Sequence, residues 1–176
     1  MNSQSEIPVL DVAAIVRGDS PGIDDMAREM GEACRGIGFF CVTGHGIDLP
    51  VLREAFEMSR AFFALPLEQK MAVTMTRSPN NLGYMPFEGE TLDPDKPGDL
   101  KETFNLGLDL AADDPEILAG MPFRGVNQWP ELPGFRDAML AYYDAVWALG
   151  RKLHFAFSRD LGLDDNFFED KLDRPL

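Results

Sequence analysis

The chain contains two histidines, His45 and His154, and any metal chemistry would have to start from them. His45 opens the stretch His45-Gly46-Ile47-Asp48. On a strand, a His-x-Asp pair shares one face because side chains alternate with a period of two, and the extra residue here breaks that alignment. His45 therefore reads as a turn residue hydrogen-bonded to backbone, where most side-chain hydrogen bonds go. His154 lies in a helical run beside Phe155 and Phe157, with no second ligand at helical spacing, and reads as a partly buried packing residue. A face of two histidines and one carboxylate with open positions does not assemble from these groups. No catalytic and no metal-binding residue is assigned within the chain.

Side chains suited to holding a small molecule fall in the stretch from Arg77 to Asp99 and just after it. Tyr84 follows Gly83 and offers an aromatic face and a hydroxyl, Glu90 offers a carboxylate for a cationic group, and Phe104 an apolar wall. The plainer reading of Glu90 is a solvated loop carboxylate, since acidic side chains are mostly exposed. Lys101 and Glu102 are adjacent on a strand, so they face opposite ways and do not act as one unit. Tyr142 to Trp147 form an aromatic stripe at helical spacing and read as core. Cys34 and Cys41 are too few for a disulfide scaffold and read as reduced, buried small hydrophobes.

The elements that must position these groups follow from periodicity and punctuation. Ile7 to Leu10 reads as a short strand, followed by a loop holding Gly18, Pro21 and Gly22. A helix from about Asp24 to Gly36 carries Ile23, Met26, Ala27, Met30, Ala33, Cys34 and Ile37 at three-and-four spacing. Phe39 to Thr43 is aromatic and β-branched between glycines, a strand whose continuous apolar character implies that both faces are covered. Gly44 and Gly46 make a turn through positive φ. Asp48 and Pro50 open a helix from about Leu49 to Ala64, with Leu52, Phe56, Ser59 and Phe63 on one stripe. Leu65-Pro66 ends it and starts a helical turn through Lys70. Arg77 to Asp99 has no sustained period and reads as a long ordered loop, a kind that is often functional. Glu102 to Leu108 alternates as a strand, and Asp109 to Pro130 reads as loop. Phe135 to Leu161 is the longest helical pattern, with Gly162 as a left-handed cap. Asp164 opens a last short helix to about Lys171, and Asp173 to Leu176 reads as the approach to another element.

A chain of 176 residues with 45% hydrophobic residues suffices for one domain or a piece of one. The formal charge of −14 repels phosphate backbones and anionic leaflets, so neither nucleic acid nor membrane is expected as a partner. No apolar run approaches the roughly 20 residues that cross a bilayer, and MNSQSE at the start lacks the order of a signal peptide. A cytoplasmic protein is expected.

Taken in order, IPVLD, GFFCVTGHGI (Gly38 to Ile47), SRAFFALPLEQK, NNLGYMP, GDLKETFNLG, NQWPELPGF and the long helix resemble one family. They are similar to the N-terminal half of the isopenicillin-N-synthase-like, 2-oxoglutarate/Fe(II)-dependent dioxygenases, which include bacterial ethylene-forming and plant hormone-modifying enzymes. The resemblance spans nearly the whole chain. It implies an α+β fold class, the N-terminal helical and strand part of a distorted double-stranded β-helix, or jelly roll. It implies Fe(II) and 2-oxoglutarate as cofactors, a small-molecule substrate and O2 as partners, and oxidation by hydroxylation, desaturation or ring closure. In that family the His-x-Asp pair, the distant histidine and the oxoglutarate-binding Arg-x-Ser come from the C-terminal half. Residues 1–176 are thus expected to form the N-terminal dioxygenase region without the metal-binding half.

The family's long loop borders the active-site mouth, which implies substrate contacts at Tyr84, Met85 and Glu90, with Phe104 beside them. Asn81 stands where some relatives carry an arginine that grips a substrate carboxylate, and its neutrality speaks against that recognition here. The alternative is a non-catalytic binding or scaffolding fragment of the same fold. Half a barrel on its own would leave strand edges and an apolar face open, which favours the enzyme reading.

Overall fold

The computed structural model describes residues 6–18, 20–91, 93 and 95–174, without the side chains of Ser20 and Pro21. The expectations for residues 1–5 and for Pro175 and Leu176 lie outside the described residues. In chain order the elements are β1 (Val9–Asp11), α1 (Ala13–Arg17), α2 (Ser20–Arg35), β2 (Cys41–Thr43), α3 (Leu49–Phe63), α4 (Leu67–Met71), β3 (Gly83–Met85), β4 (Thr103–Asn105), α5 (Pro115–Leu118) and α6 (Phe135–Asp160). Single 3-10 turns occur at Met75–Arg77 and Glu169–Lys171. The chain divides into two compact units, residues 1–49 with 142–173, and residues 50–141 with 174–176.

In the first unit the three-and-four spacing on α2 buries Ile23, Met26, Ala27 and Met30 against Leu10, Val12, Ile15 and Ala156. Strands β1 and β2 pair in parallel, Val9 with Cys41 and Asp11 with Thr43. Gly44 and Gly46 take φ of 66° and 71°, as a tight turn demands. A side chain at Gly44 would collide with the Asp11 carboxylate, which accepts the Ala13 N–H at 3.0 Å where α1 begins. Asp160 at the end of α6 lies flush against Gly31 and takes a two-pronged pair from Arg35, at 2.6 and 3.1 Å. Those Arg35 hydrogen bonds hold its carboxyl below the usual range, against the opposing effect of burial.

Several expectations for this unit are corrected. Helix α1 falls where a loop was expected, because five residues are too few to show a period. The strand at Phe39 to Thr43 is three residues long, with Phe39 68% exposed and Cys41 and Thr43 exposed, so it is not covered on both faces among the described residues. Cys34 and Cys41 are free but exposed rather than buried, since Cys34 lies one residue, or about 100°, off the α2 core row at Ala33. Tyr142 and Val146 on α6 are exposed too, because the apolar stripe is wider than the face that is covered. The helix expected from Asp164 is a turn, with the Phe167 N–H on the Asp164 carbonyl at 2.9 Å, followed by the 3-10 turn at Glu169–Lys171.

The second unit is built around Phe62, fully buried, with Ala55, Val73, Tyr84, Phe135 and Met139. The stripe expected on α3 is rotated by one residue: Ala55 and Phe62 face the core, and Phe56 is 64% exposed. Strand β3 lies inside the segment read as loop and pairs antiparallel with β4, Tyr84 opposite Phe104. Helix α5 interrupts the other expected loop, with Asp114 accepting the Glu116 N–H at 2.9 Å and Pro115 in the first turn. Among the described residues the strands form two two-stranded sheets, so the fold is α+β and these strands do not themselves trace a jelly roll.

Candidate functional site

Every residue singled out for substrate contact lies on β3, on β4 or between them, and the local backbone explains why this hairpin has the shape it has. Gly83 sits at φ 119°, and a β-carbon there would collide with the Val73 carbonyl and the Gln128 amide, leaving no room for a side chain. Gln128 Nε2 donates to the carbonyls of Thr74 (3.0 Å) and Leu82 (2.8 Å). The Tyr84 N–H donates to the Val73 carbonyl at 2.8 Å. Asn127 acts as a substitute strand partner, accepting the Gly107 N–H at 2.9 Å and donating to the Gly107 carbonyl at 3.0 Å. Within NQWPELPGF, spacing alone assigns Asn127 and Gln128 no such role. The available signal was weak: two adjacent amides in an aperiodic stretch.

Behind the hairpin, Glu102 gathers two donors on a single oxygen. Lys70 Nζ and the Tyr84 hydroxyl each donate to Glu102 Oε2 at 2.6 Å, and Lys70 also reaches the Phe63 carbonyl at 3.2 Å. The ammonium lies 5.3 Å from the Tyr84 ring centre, within cation–π range. Burial pushes the Glu102 carboxyl up, but the hydrogen bonds from Lys70 and Tyr84 and the Lys70 charge outweigh it, so the carboxyl titrates below its usual range. Burial, and then donation to Glu102, push the Tyr84 phenol up to about 12. Lys101, just ahead of β4, is not part of this cluster and pairs instead with Glu90 at 2.8 Å and Asp99 at 3.0 Å.

These contacts place the four expected substrate residues differently. Tyr84 is 1% exposed, closed off by Phe62 and committed to Glu102. Phe104 is half-buried and packs on Phe62 and Phe135. Met85 is half-buried at the end of β3, and Glu90 is exposed on the loop beside Lys101. Asn81 is exposed with φ 57°.

Tyr84 yields a direct test. Its folded value lies above the ordinary tyrosine value near 10, so the stability it contributes is whole below about pH 10 and is lost as pH rises toward 12. A gap of about two pH units corresponds to ~3 kcal/mol. In an ultraviolet titration, Tyr84→Phe is expected to remove a phenolate step near pH 12. An unchanged high-pH limb would show that the Tyr84 hydroxyl is not held as described.

Neither histidine enters a metal face. His45 Nδ1 accepts the Ile47 N–H at 3.0 Å, closing the turn as expected. His154 Nδ1 bonds the Gly150 carbonyl at 2.8 Å, and the ring packs on Phe157 and Phe168. Among the described residues no three His, Cys, Asp or Glu side chains come together to hold a metal ion. The donor set present therefore does not fit an Fe(II) centre, and no catalytic step is assigned to it.

Comparison with known proteins puts this geometry in context. Residues 7–132 match the family model described as the N-terminal region of non-haem dioxygenases in morphine synthesis, and the chain belongs to that family. It is 30% identical over 166 residues to a 2-oxoglutarate-Fe(II) type oxidoreductase of Emericella nidulans, covering 92% of this chain and 48% of that protein. It is 31% identical over 174 residues to a homoarginine-6-hydroxylase of Arabidopsis thaliana, covering 94% of this chain and 52% of that protein. In structure it is similar to a 2OG-Fe(II) oxygenase family protein of Caulobacter crescentus, with TM-score 0.73, 27% identity, and coverage of 93% of this chain and 51% of that one. It is also similar to a full-length Neurospora crassa protein solved in complex with alpha-KG and 5-formyluracil, with TM-score 0.72, 27% identity, and coverage of 96% and 49%. The chain spans about half the length of the curated relatives it matches.

Proposed function

We propose that residues 1–176 are the N-terminal dioxygenase region of a non-haem Fe(II)/2-oxoglutarate-dependent oxygenase that oxidises a small molecule by hydroxylation, desaturation or ring closure. The observation that carries this reading is the family match over residues 7–132. The structural likeness to a protein solved with alpha-KG supports it. In this reading the iron and 2-oxoglutarate ligands, and the jelly-roll strands that bear them, belong to residues outside this sequence.

This chain's own contribution is scaffold and one part of the pocket wall. Met85 and Glu90 are the substrate contacts, because they remain accessible at the end of β3 and on the loop after it. Tyr84 and Phe104 act from behind, holding the hairpin against Phe62.

The test uses the full-length protein with Fe(II), 2-oxoglutarate and O2, measuring 2-oxoglutarate consumption and succinate release. The relatives point to an initial substrate panel, since one is a homoarginine hydroxylase and another binds 5-formyluracil: cationic amino acids and pyrimidines. Fe(II)-dependent succinate release that a chelator abolishes is the expected result. No Fe(II)-dependent consumption, with no 2-oxoglutarate binding by calorimetry, would leave the non-catalytic binding or scaffolding alternative.

A further inference from the structure

The first unit contains a cavity of about 390 Å³ between the end of α1, the start of α2, the C-terminal part of α6 and the turn that follows it. That volume falls in the range of roughly 300–1,000 Å³ typical of small-molecule sites, which combine an apolar lining with a few polar groups. Its inner side is apolar: Ile15 and Ile23 are buried, and Phe155 and Phe168 are half-buried in the lining.

The cations that border this floor differ in what they already hold. Arg159 is committed, with Nε and one terminal nitrogen donating to the two Asp165 oxygens at 3.0 and 3.1 Å and the other terminal nitrogen donating to Asp24. Its guanidinium lies 5.0 Å from the centre of the Phe155 ring, which fixes that wall. Lys152 Nζ donates to the Val16 carbonyl at 2.9 Å and ties α6 to the end of α1. Arg151 is different. The carboxylate oxygens near it, on Glu169 at 3.6 Å and Asp173 at 3.8 Å, are too far for hydrogen bonds and belong to exposed side chains. A guanidinium presents its N–H donors as a planar fork that matches a carboxylate with two parallel bonds. Arg35 and Arg159 each have such a two-pronged partner, whereas Arg151 lines the cavity without one among the described residues.

The formal charge of −14 opposes an anion at long range, but salt screens charges beyond about 8 Å, so the contact with Arg151 decides. An apolar cavity of roughly 150 Å³ suffices for one benzene ring. The larger volume here leaves space for a short linker and a carboxylate as well.

We propose that this cavity binds a small aryl-alkyl carboxylate, with its ring against Phe155, Phe168 and the two isoleucines and its carboxylate on the Arg151 fork in place of the distant Glu169. The inference requires neither iron nor 2-oxoglutarate, and it stands or falls separately from the proposed oxygenase activity.

The test is a ligand-observed NMR titration of the full-length protein with 3-phenylpropionate and with 3-phenylpropanamide, a neutral molecule of the same shape. The carboxylate is expected to bind about tenfold more tightly, as a charge-assisted two-pronged contact provides. Arg151→Gln is expected to bring the two ligands to equal affinity, and Phe168→Ala to weaken both by a similar factor. Should Arg151→Gln fail to fold, Arg151→Lys supplies the second variant: it keeps the charge without the fork, and most of the preference is expected to vanish. The affinity is expected to be the same with and without saturating 2-oxoglutarate and Ni(II), which together would fill an oxygenase active site. No binding of the carboxylate, equal affinities in the unaltered protein, or a preference that survives both Arg151 variants would overturn the proposal. Displacement by 2-oxoglutarate with Ni(II), or binding unaffected by Phe168→Ala, would show that the ligand sits elsewhere and overturn it as well.

Discussion

Replacing Glu102 by leucine is expected to cost about 3–5 kcal/mol of folding free energy, the range for removing one partner of a buried ion pair. The reason is what stays behind. The Lys70 and Glu102 side chains are 10% and 19% exposed, so the orphaned ammonium keeps the Phe63 carbonyl at 3.2 Å and the Tyr84 ring face but no counter-charge, and the Tyr84 hydroxyl loses its acceptor. The double replacement Lys70→Met with Glu102→Leu is expected to recover most of the loss, because an apolar pair of similar volume carries no uncompensated charge. Acid provides a second signature. The Glu102 carboxyl titrates below its usual range in the folded chain, so its contribution is present above the unfolded value near 4.3 and is lost as pH falls through the folded value. Urea denaturation across that window should therefore show a shallower acid loss in Glu102→Leu. A single variant that loses under 1 kcal/mol, or a double variant no more stable than the single, would mean that the cluster is not the anchor its geometry indicates.

The other large effect concerns which face of α3 is inside. Phe62→Ala is expected to cost about 3–5 kcal/mol, as deletion of a buried aromatic ring does. The ring is fully buried, with centroids of Phe104 at 4.8 Å and of Phe63 and Phe135 at 5.2 Å. Phe56→Ala, on the exposed face, is expected to stay within about 0.5 kcal/mol. Denaturation midpoints of the two variants decide the matter: if Phe56→Ala proved the more damaging, the sequence-derived stripe through Leu52, Phe56, Ser59 and Phe63 would be right and the packing described above wrong.

That comparison shows where sequence reasoning reached its limit. Both candidate rows on α3 finish on an aromatic residue, Phe62 or Phe63 at the helix C-terminus, and a shift of one residue turns a helix by about 100°. Nothing local separates Phe62 from Phe63, and only the arrival of Tyr84, Phe104 and Phe135 from distant segments selects the inner one. Strand β3 escaped for a related reason. Three residues beginning with glycine carry no alternation worth the name, and they become a strand only by pairing with β4. The candidate site was legible as a region, the GYM and KETFN stretches, but not as an arrangement. Lys101 and Glu102 have separate partners, as expected, although both precede β4 rather than lie on it, and those partners, Glu90, Asp99, Lys70 and Tyr84, could not be named from spacing.

What the sequence by itself determined was local or cumulative. The helices α2, α3 and α6 were marked by repeated apolar spacing, the Gly44 and Gly46 turn by residues tolerant of positive φ, and the family by several short stretches in a fixed order. Each of these signals depends on neighbours a few residues apart, or on the order of such pieces. The tertiary structure alone decided which apolar faces were covered, that both cysteines lie exposed, and that Tyr84 is an internal hydrogen-bond donor rather than an accessible contact. Burial and partnership are properties of segments far apart in the chain, and they exist only once those segments have been brought together.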